Sequence, residues 1–329
     1  MEIEVQTEYN FTKLVNALDV RNSIYGSLLI LISAFILASN GLLICVIYSS
    51  KYLHRCQNAF VMCLAIGDIL NGFVEGPFLA HIVLNRPEQV PPQACPFVLF
   101  INYSTKATTS FSLMMLSIER CLAVSKPLKY ARLVTIRSCT ISVVLICVFS
   151  VLISSLPLLR ERFIYDKFKC RFEGDTTMHT KIFIITYMGL SRMLPMLVIW
   201  ICIATILYNA RTRFKCSSMI AAVPFTVTPV AYPLNLRKIT LKALRSLLYL
   251  TITFSVLTII CCSSGIPRTI RNFEFPPGYE MALEFTSLSH YFITPVMILI
   301  FNKQYQNRIV SLCCTRCGKK NRVGQDQYP

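Results

Sequence analysis

The chain has 329 residues, of which 54% are hydrophobic and only 15% are charged, with a formal net charge of +17. Soluble domains carry about 25% charged residues, so this composition excludes an ordinary soluble globular protein. A charge of +17 would suggest nucleic-acid binding in a soluble protein, but here the basic residues lie between apolar runs. The 15 cysteines mostly lie inside those runs, unlike the disulfide framework of a small secreted protein.

Seven apolar runs predict seven membrane-spanning helices, since a spanning helix needs about 20 mainly apolar residues. In chain order the runs cover roughly 24–48, 58–82, 96–124, 138–158, 182–208, 246–266 and 282–301. The predicted fold class is therefore an all-α membrane protein with a seven-transmembrane helix bundle over 24–301. We expect an extracellular tail over 1–23, and over 302–329 a short amphipathic eighth helix with a cytoplasmic tail.

The basic residues predict the orientation of the bundle. With the N-terminus outside, the segments on the inner side hold 19 Lys and Arg residues against one acidic residue, Asp326. The outer segments carry 11 basic and 11 acidic residues. This asymmetry follows the positive-inside rule, so nucleic acid is not needed to explain the net charge. We expect a multi-pass protein of the plasma membrane, with its N-terminus extracellular and the lipid bilayer around it.

Two kinds of modification are predicted from short motifs. Asn10 begins the glycosylation sequon NFT in the predicted outer tail. Asn102 begins a second sequon, NYS, but it falls inside a predicted span and is expected to stay unmodified. Cys313, Cys314 and Cys317 lie among basic residues after the predicted amphipathic helix, which favours palmitoylation. The alternative is that these three are ordinary reduced thiols of the cytosol.

The inner end of the third run reads SIERCLAVSKPLKY. Glu119-Arg120-Cys121, followed by Pro127, resembles the D/E-R-Y motif and second inner loop of rhodopsin-like G-protein-coupled receptors. An arginine at a buried edge needs a partner, and the adjacent carboxylate supplies one in the resting state. The resemblance implies that Glu119, Arg120, Cys121 and Pro127 take part in coupling to a heterotrimeric G protein. A Glu-Arg pair standing alone would be an ordinary ion pair at a helix end.

The resemblance extends over most of the chain, from about 24 to 314. The other matching positions are Asn40, Asn58, Leu64, Ala65, Asp68, Pro77, Cys95, Pro195, Pro267 and Pro295. Each match is weak by itself, but their order and spacing are typical of the family. The resemblance also implies a disulfide between Cys95 and Cys170 in the second outer loop.

Some positions depart from the family pattern. Gly265 replaces the usual aromatic residue of the sixth span, and Thr294 and Ile298 replace the Asn and Tyr of the seventh-span NPxxY pattern. Ile203 stands where the fifth span usually has a Tyr. These groups normally form a polar relay between the ligand pocket and the inner face. Their loss suggests high basal activity as a hypothesis, or a receptor-like protein that does not signal and acts as a decoy or scaffold.

Part of the relay is kept. Asp68 and Thr109 match the family positions, while His290 and Thr294 stand where Asn or Ser is usual. Two arrangements remain open. Asp68 with two hydroxyl groups provides oxygen ligands for a sodium ion. His290 can instead pair with Asp68 directly. Apart from that possible sodium ion, we expect no cofactor and no metal.

Charged residues inside a membrane bundle are costly and usually mark function or a mutual pair. Here they are Glu75, Lys106, Arg192 and Glu284. The resemblance places them around the outer cavity, with Tyr187 and Ser191 on the pocket side. Asn102 takes the place where amine receptors carry an Asp, which disfavours a monoamine ligand. These residues are predicted to bind an extracellular small molecule or short peptide; alternatively, Lys106 pairs with Glu75 or Glu284 to stabilise the bundle.

The second outer loop is basic and aromatic around Cys170, which suits an acidic small molecule or a short peptide. A solvated loop that binds nothing is the alternative. A transporter would predict inverted repeats, and the sequence has no such internal symmetry. An intramembrane enzyme would need paired catalytic groups at one depth, which Asp68 and His290 alone do not supply. The favoured function is a ligand-activated receptor that is not an enzyme.

Overall fold

The structure is a computed structural model of the chain, and it describes residues 2–49, 56–84, 91, 93–159, 163–166, 169–172, 178–221, 248–260, 262–263 and 275–316. Side chains are described over most, but not all, of these residues. The predictions that concern Gly265, Pro267 and Cys317 fall outside the described residues. At Asn10, Cys313 and Cys314 the structure describes the backbone alone.

The described chain is mainly helical. Its helices are α1 (Glu2–Tyr48), α2 (Cys56–Leu84), α3 (Ala94–Ser125), α4 (Pro127–Leu133), α5 (Ile136–Ser155), α6 (Met178–Met188), α7 (Leu194–Ala221), α8 (Leu248–Ile260), α9 (Pro277–Phe301) and α10 (Lys303–Arg316). A π-helical turn over Gly189–Met193 joins α6 and α7 into one element. The seven predicted spans correspond to α1, α2, α3, α5, α6 with α7, α8 and α9.

Five stretches are long and apolar enough to cross a membrane: Asp19–Tyr48, Asn58–Leu84, Ile136–Leu158, Met178–Asn209 and Gly278–Phe301. The sixth predicted span is described as a shorter apolar helix, Leu248–Ile260. The third, α3, has 32 residues and buries eight polar or acidic side chains along its length. Because α3 turns these groups toward its neighbours, its sequence is less apolar than that of a helix facing lipid on one side.

The first helix is longer than predicted. α1 begins at Glu2, so the segment predicted as an outer tail continues into the first span without a break. At the other end of the bundle, local chemistry shapes the predicted inner loops. Pro127 is the first residue of α4, a position where its missing N–H costs no hydrogen bond. Thr135 and Ser138 form a capping box that starts α5.

A two-stranded antiparallel hairpin lies in the predicted second outer loop, an addition to the all-α expectation. It consists of β1 (Phe163–Asp166) and β2 (Lys169–Phe172), with Tyr165 opposite Cys170. Cys170 forms a disulfide with Cys95 near the start of α3, and their Cα atoms are 5.5 Å apart. This is the pairing that the resemblance implies, and it ties the hairpin to the outer end of α3.

Helices α1 and α2 approach each other closely because α2 carries two glycines four residues apart. A Cβ atom at Gly76 would overlap the hydroxyl group of Ser33, and one at Gly72 would overlap the side chain of Ile36. Small residues at this spacing let two helix backbones come together in a membrane. The polar residues Asp68, Asn71 and Glu75 lie on the neighbouring face of α2, which is turned toward α3.

The end of the bundle that holds α4 and α10 is the predicted inner end, and its core is apolar. Ile203, Phe254 and Ile298 are buried in one cluster with Tyr305 of α10. Ile203 and Ile298 stand at the positions where the family pattern would place two tyrosines. Apolar packing is therefore the main contact among α7, α8 and α9 at this level, and Trp200 of α7 adds a hydrogen bond of 3.0 Å to Ser255 of α8.

Removal of the disulfide should destabilise the protein. The two cysteines are 75 residues apart, and a closed loop of that size is worth roughly 4 kcal/mol in the chain-entropy account. We expect Cys95→Ser combined with Cys170→Ser to lower the thermal midpoint of detergent-purified protein and its level at the cell surface. Cys45→Ser, at an exposed free thiol, is the control. Equal midpoints for the double variant and this control would contradict the expectation.

Candidate functional site

The inner end of α3 holds a closed ion pair. Arg120 Nε lies 3.5 Å from Glu119 Oε2, and the Glu119 side chain is only 4% exposed. The Tyr130 hydroxyl, from α4, donates a hydrogen bond to the other carboxylate oxygen of Glu119. The sequence predicted the pair but not the part played by Tyr130. The arrangement keeps the guanidinium beside its own neighbour and attaches the α4 segment to α3.

The other predicted coupling residues lie close to this pair. The Cys121 Sγ is 3.7 Å from the Ser125 Oγ, which accepts a hydrogen bond from Asn209 of α7 at 2.8 Å. Pro127 is exposed at the start of α4. The structure therefore brings Glu119, Cys121 and Pro127 together around one end of α3, with α7 attached alongside.

Tyr305 fastens α10 beneath the bundle. Its hydroxyl donates a hydrogen bond of 2.7 Å to Asn58 Oδ1 of α2, and its side chain is 1% exposed. Burial raises the pKa of the Tyr305 phenol to about 12, so it stays protonated and remains a donor. Arg308, one turn further along, donates to the backbone carbonyl of Ser49 at the end of α1. The sequence predicted the amphipathic helix but not this contact of Tyr305.

A buried carboxylate organises the outer half of the bundle. Glu75 of α2 has a side chain 5% exposed, and both its oxygens accept hydrogen bonds: Asn71 donates to Oε2 and Asn102 donates to Oε1. The Lys106 Nζ lies 3.9 Å from Oε1. Of the two alternatives for Lys106, the pairing with Glu75 is present. Asn102 is thus committed to Glu75.

Asn71 is the member of this network that the sequence analysis missed. It donates to Glu75 and accepts a hydrogen bond of 3.1 Å from the Thr105 hydroxyl of α3. The signal was available, because Asp68, Asn71 and Glu75 are spaced three and four residues apart and so share one helical face. An acidic face with an amide in it predicts a buried polar seam.

The relay residues are only partly connected. Thr109 donates a hydrogen bond of 2.9 Å to Asp68 Oδ1, as the predicted positions allow. Asp68 Oδ2 and His290 Nε2 are both buried without hydrogen-bond partners among the described residues, so the direct Asp68–His290 pair does not form. Thr294 is buried in α9 at 2% exposure. Asn40 donates to the backbone carbonyl of Tyr291, which joins α1 to α9.

The surroundings of Asp68 are also relevant to the predicted sodium site. Its orphaned Oδ2 is an oxygen that a cation could take, and the Thr109 hydroxyl supplies a second oxygen beside it. A hard cation requires several oxygen ligands. The described hydrogen bonds do not join Thr294 to this pair. Asp68 and Thr109 therefore supply part of the oxygen ligands that a sodium ion needs, and sodium binding stays a prediction.

A small cavity of about 10 Å³ lies between α3, the π-helical turn, α8 and α9. Its lining consists of Lys106, Thr109, Arg192, Leu257, Thr258, Ser287, His290 and Tyr291. Lys106 and Arg192 are the predicted ligand residues that reach it. Glu75 and Asn102 lie behind Lys106, and Glu284 is not part of the lining either.

Two further predicted ligand residues are occupied elsewhere. The Tyr187 hydroxyl donates to the Tyr103 backbone carbonyl at 2.6 Å, and the Ser191 hydroxyl donates to the Tyr187 backbone carbonyl at 2.7 Å. Tyr187 is 3% exposed and packs in an apolar cluster with Tyr103 and Phe183. Neither side chain lines the cavity, because Tyr187 packs against α3 and Ser191 bonds to the preceding turn of its own helix.

Comparison with known proteins agrees with this geometry. A family model described as 7 transmembrane receptor (rhodopsin family) matches residues 39–300. The chain belongs to this receptor family. Its members are signalling receptors and not enzymes. The resemblance stated from the motifs is therefore confirmed, as is the seven-helix fold.

Individual relatives match shorter parts of the receptor. The Dopamine D2-like receptor of Drosophila melanogaster is 29% identical over 136 residues, which cover 41% of this chain and 15% of that protein. Melanopsin-A of Gadus morhua is 26% identical over 153 residues, covering 46% of this chain and 27% of that protein. The aligned part of the receptor thus spans less than a third of either relative.

A solved structure supports the fold over nearly the whole chain. Squid rhodopsin superposes with a TM-score of 0.74, covering 92% of this chain and 89% of that chain. The sequence identity is 16%, so the likeness concerns the fold alone. The ligand of the receptor has to be argued from its own residues.

Neutralising Glu75 should destabilise the receptor. Glu75→Gln removes the negative charge beside Lys106. The new amide N–H group also faces one of the two donors, Asn71 or Asn102, whose hydrogen bonds the carboxylate accepts. Breaking a buried pair on one side typically costs about 3 kcal/mol. We expect a lower thermal midpoint for Glu75→Gln and partial recovery in Glu75→Gln with Lys106→Met. Additive effects of the two substitutions in this double-mutant cycle would show that the pair is not coupled.

Proposed function

We propose that this protein is a plasma-membrane receptor that binds an extracellular small molecule or short peptide and activates heterotrimeric G proteins. Its N-terminus faces the outside of the cell. Ligand binding in the outer half shifts the bundle between two states, and the inner end then catalyses nucleotide exchange on the G protein.

The Glu119–Arg120 pair carries this proposal. Arg120 is 35% exposed and is held by a carboxylate that is itself buried, next to the α4 segment and the end of α7. Release of the guanidinium needs only a change at Glu119 or Tyr130, and it would leave a cation at the opening inner face. A partner protein that offers backbone carbonyls or carboxylates could then accept it. This supports a switch and not merely a helix-end contact.

The alternative function is a receptor-like protein that does not signal. Thr294 and Ile298 favour it, because Ile298 lies in the apolar cluster at the inner end where a polar relay would be expected. In this form the protein would still bind ligand and would act as a decoy or scaffold. The same substitutions therefore produce high basal activity or silence, and an assay of G-protein activation separates the two.

Substitution at Arg120 tests the coupling. We expect Arg120→Ala to abolish basal and ligand-stimulated signalling at matched surface levels, because it removes the cation that engages the partner. The measurement is G-protein dissociation in cells, with cAMP and calcium as second readouts. Arg21→Ala, at an exposed basic residue of α1 far from the inner end, is the control. Undiminished signalling by Arg120→Ala would exclude the proposed role.

Release of the ion pair should have the opposite effect. Glu119→Gln keeps the shape of the side chain but removes the charge that holds Arg120, so we expect basal signalling to rise several-fold. Arg120→Ala in the same chain should cancel that rise. If wild type, Glu119→Gln and the control all stay at the level of mock-transfected cells, the release expected of Glu119→Gln is contradicted, and a receptor that awaits its agonist or a non-signalling protein remains. Basal signalling of the wild type above mock tests the hypothesis of high basal activity.

A further inference from the structure

The cavity between α3, the π-helical turn, α8 and α9 gathers polar groups that have no partner. Ten buried side-chain atoms lack a hydrogen-bond partner among the described residues, and three of them line this cavity: Thr258 Oγ1, His290 Nε2 and Tyr291 OH. Burying such a group without a partner costs about 1–3 kcal/mol. Three orphaned groups at one cavity indicate that something else satisfies them.

The two cations of the cavity are also short of partners. Lys106 Nζ lies 3.9 Å from Glu75 Oε1, which is an ion pair but too long for a hydrogen bond. Within the described residues, the guanidinium of Arg192 makes no hydrogen bond and no ion pair within 4.0 Å. Glu75 therefore pairs with Lys106, while Arg192 has no carboxylate within 4.0 Å among the described residues.

The backbone itself brings Arg192 to this place. Arg192 lies in the π-helical turn Gly189–Met193, which widens the helix by one residue per turn between α6 and α7. Such turns are rare and are frequent at functional sites. The turn buries Ser191 completely against Tyr187 and leaves the neighbouring Arg192 side chain on the cavity.

We propose that this cavity binds the carboxylate of an acidic ligand, with Arg192 as its principal donor and Lys106 beside it. The proposal rests on the receptor function proposed above and names the chemical class of its ligand. A guanidinium matches a carboxylate with two parallel hydrogen bonds. Thr258, Tyr291 and His290 can each donate to the same group, and the lining contains no carboxylate that would repel it.

The size of the cavity favours a small anionic group. A space of about 10 Å³ admits about one water-sized group, so one carboxylate oxygen fits it and a tetrahedral phosphate does not. The remainder of the ligand would extend outward from it. A free inorganic anion such as chloride shares this chemistry, and the test has to distinguish the two. The assignment also agrees with Asn102, which is bound to Glu75 and offers no charge to an amine.

The first part of the test needs no ligand. Detergent-purified wild type, Arg192→Gln and Lys181→Gln are compared by thermal unfolding without added carboxylate. Lys181 is the control because it lies on α6, in the same element, but does not line the cavity. Because a half-buried guanidinium that has no hydrogen-bond partner is destabilising, Arg192→Gln should raise the midpoint, while Lys181→Gln should leave it unchanged. A lower midpoint for Arg192→Gln would mean that its charge is structural, which overturns the proposal.

The second part uses defined probes. Straight-chain monocarboxylates from acetate to decanoate, together with lactate, benzoate and phenylacetate, are each compared with the corresponding primary amide. We expect at least one acid to raise the wild-type midpoint by about 2–4 °C, none of the amides to do so, and Arg192→Gln to lose the shift. Lys106→Met is a second variant that should weaken the same shift.

Each other outcome counts against the proposal. A panel in which no acid shifts the wild type overturns it. If the acid still raises the thermal midpoint of Arg192→Gln, the acid binds at another site. A shift produced by sodium chloride alone, and lost in Arg192→Gln, identifies an inorganic anion instead of a ligand carboxylate. None of these readouts involves a G protein, so a receptor that binds an acid but never signals would refute the proposed coupling and leave this inference standing.

Discussion

The polar seam between α2 and α3 is the constraint on which the rest of the structure depends. In a membrane bundle no water is at hand to satisfy a buried polar group, so each must find a partner on a neighbouring helix. Along one line, Thr109 donates to one oxygen of Asp68, and Asn71 and Asn102 donate to both oxygens of Glu75. The seam requires α2 to face α3, while Gly72 and Gly76 on the neighbouring face of α2 allow the close contact with α1.

The seam does not continue to the inner end. Below Asp68 the bundle is joined mainly by apolar side chains, including Ile203 and Ile298, with a hydrogen bond from Trp200 to Ser255 between α7 and α8. Further polar contacts follow at the inner end, among them that of Tyr130 with Glu119. Two polar regions are thus separated by an apolar cluster. A change in the outer half would have to reach the inner end through the repacking of side chains and helices, which is a mechanical route and not a chain of hydrogen bonds.

The charged groups at the two ends of this receptor are arranged differently, and each arrangement suits a different function. At the inner end one carboxylate holds one guanidinium, so this pair is balanced and closed. In the outer half Lys106 pairs with Glu75, Arg192 has no ion pair within 4.0 Å among the described residues, and the hydroxyls of Thr258 and Tyr291 remain unsatisfied there. A balanced site is suited to a switch that must stay off at rest. An unbalanced one is suited to an incoming group of opposite charge.

The sequence by itself determined the seven spans, the family, the Glu119–Arg120 pair and the set of charged residues inside the bundle, because hydropathy, local spacing and adjacent residues carry these. Only the tertiary structure decided which charges meet. Glu75 is 31 residues from Lys106 along the chain, and Tyr187 and Ser191 were lost to internal hydrogen bonds that no linear pattern shows. The orphaned atoms of Thr258, His290 and Tyr291 became visible only when α8 and α9 were packed around Arg192, since a missing partner is a property of three-dimensional surroundings.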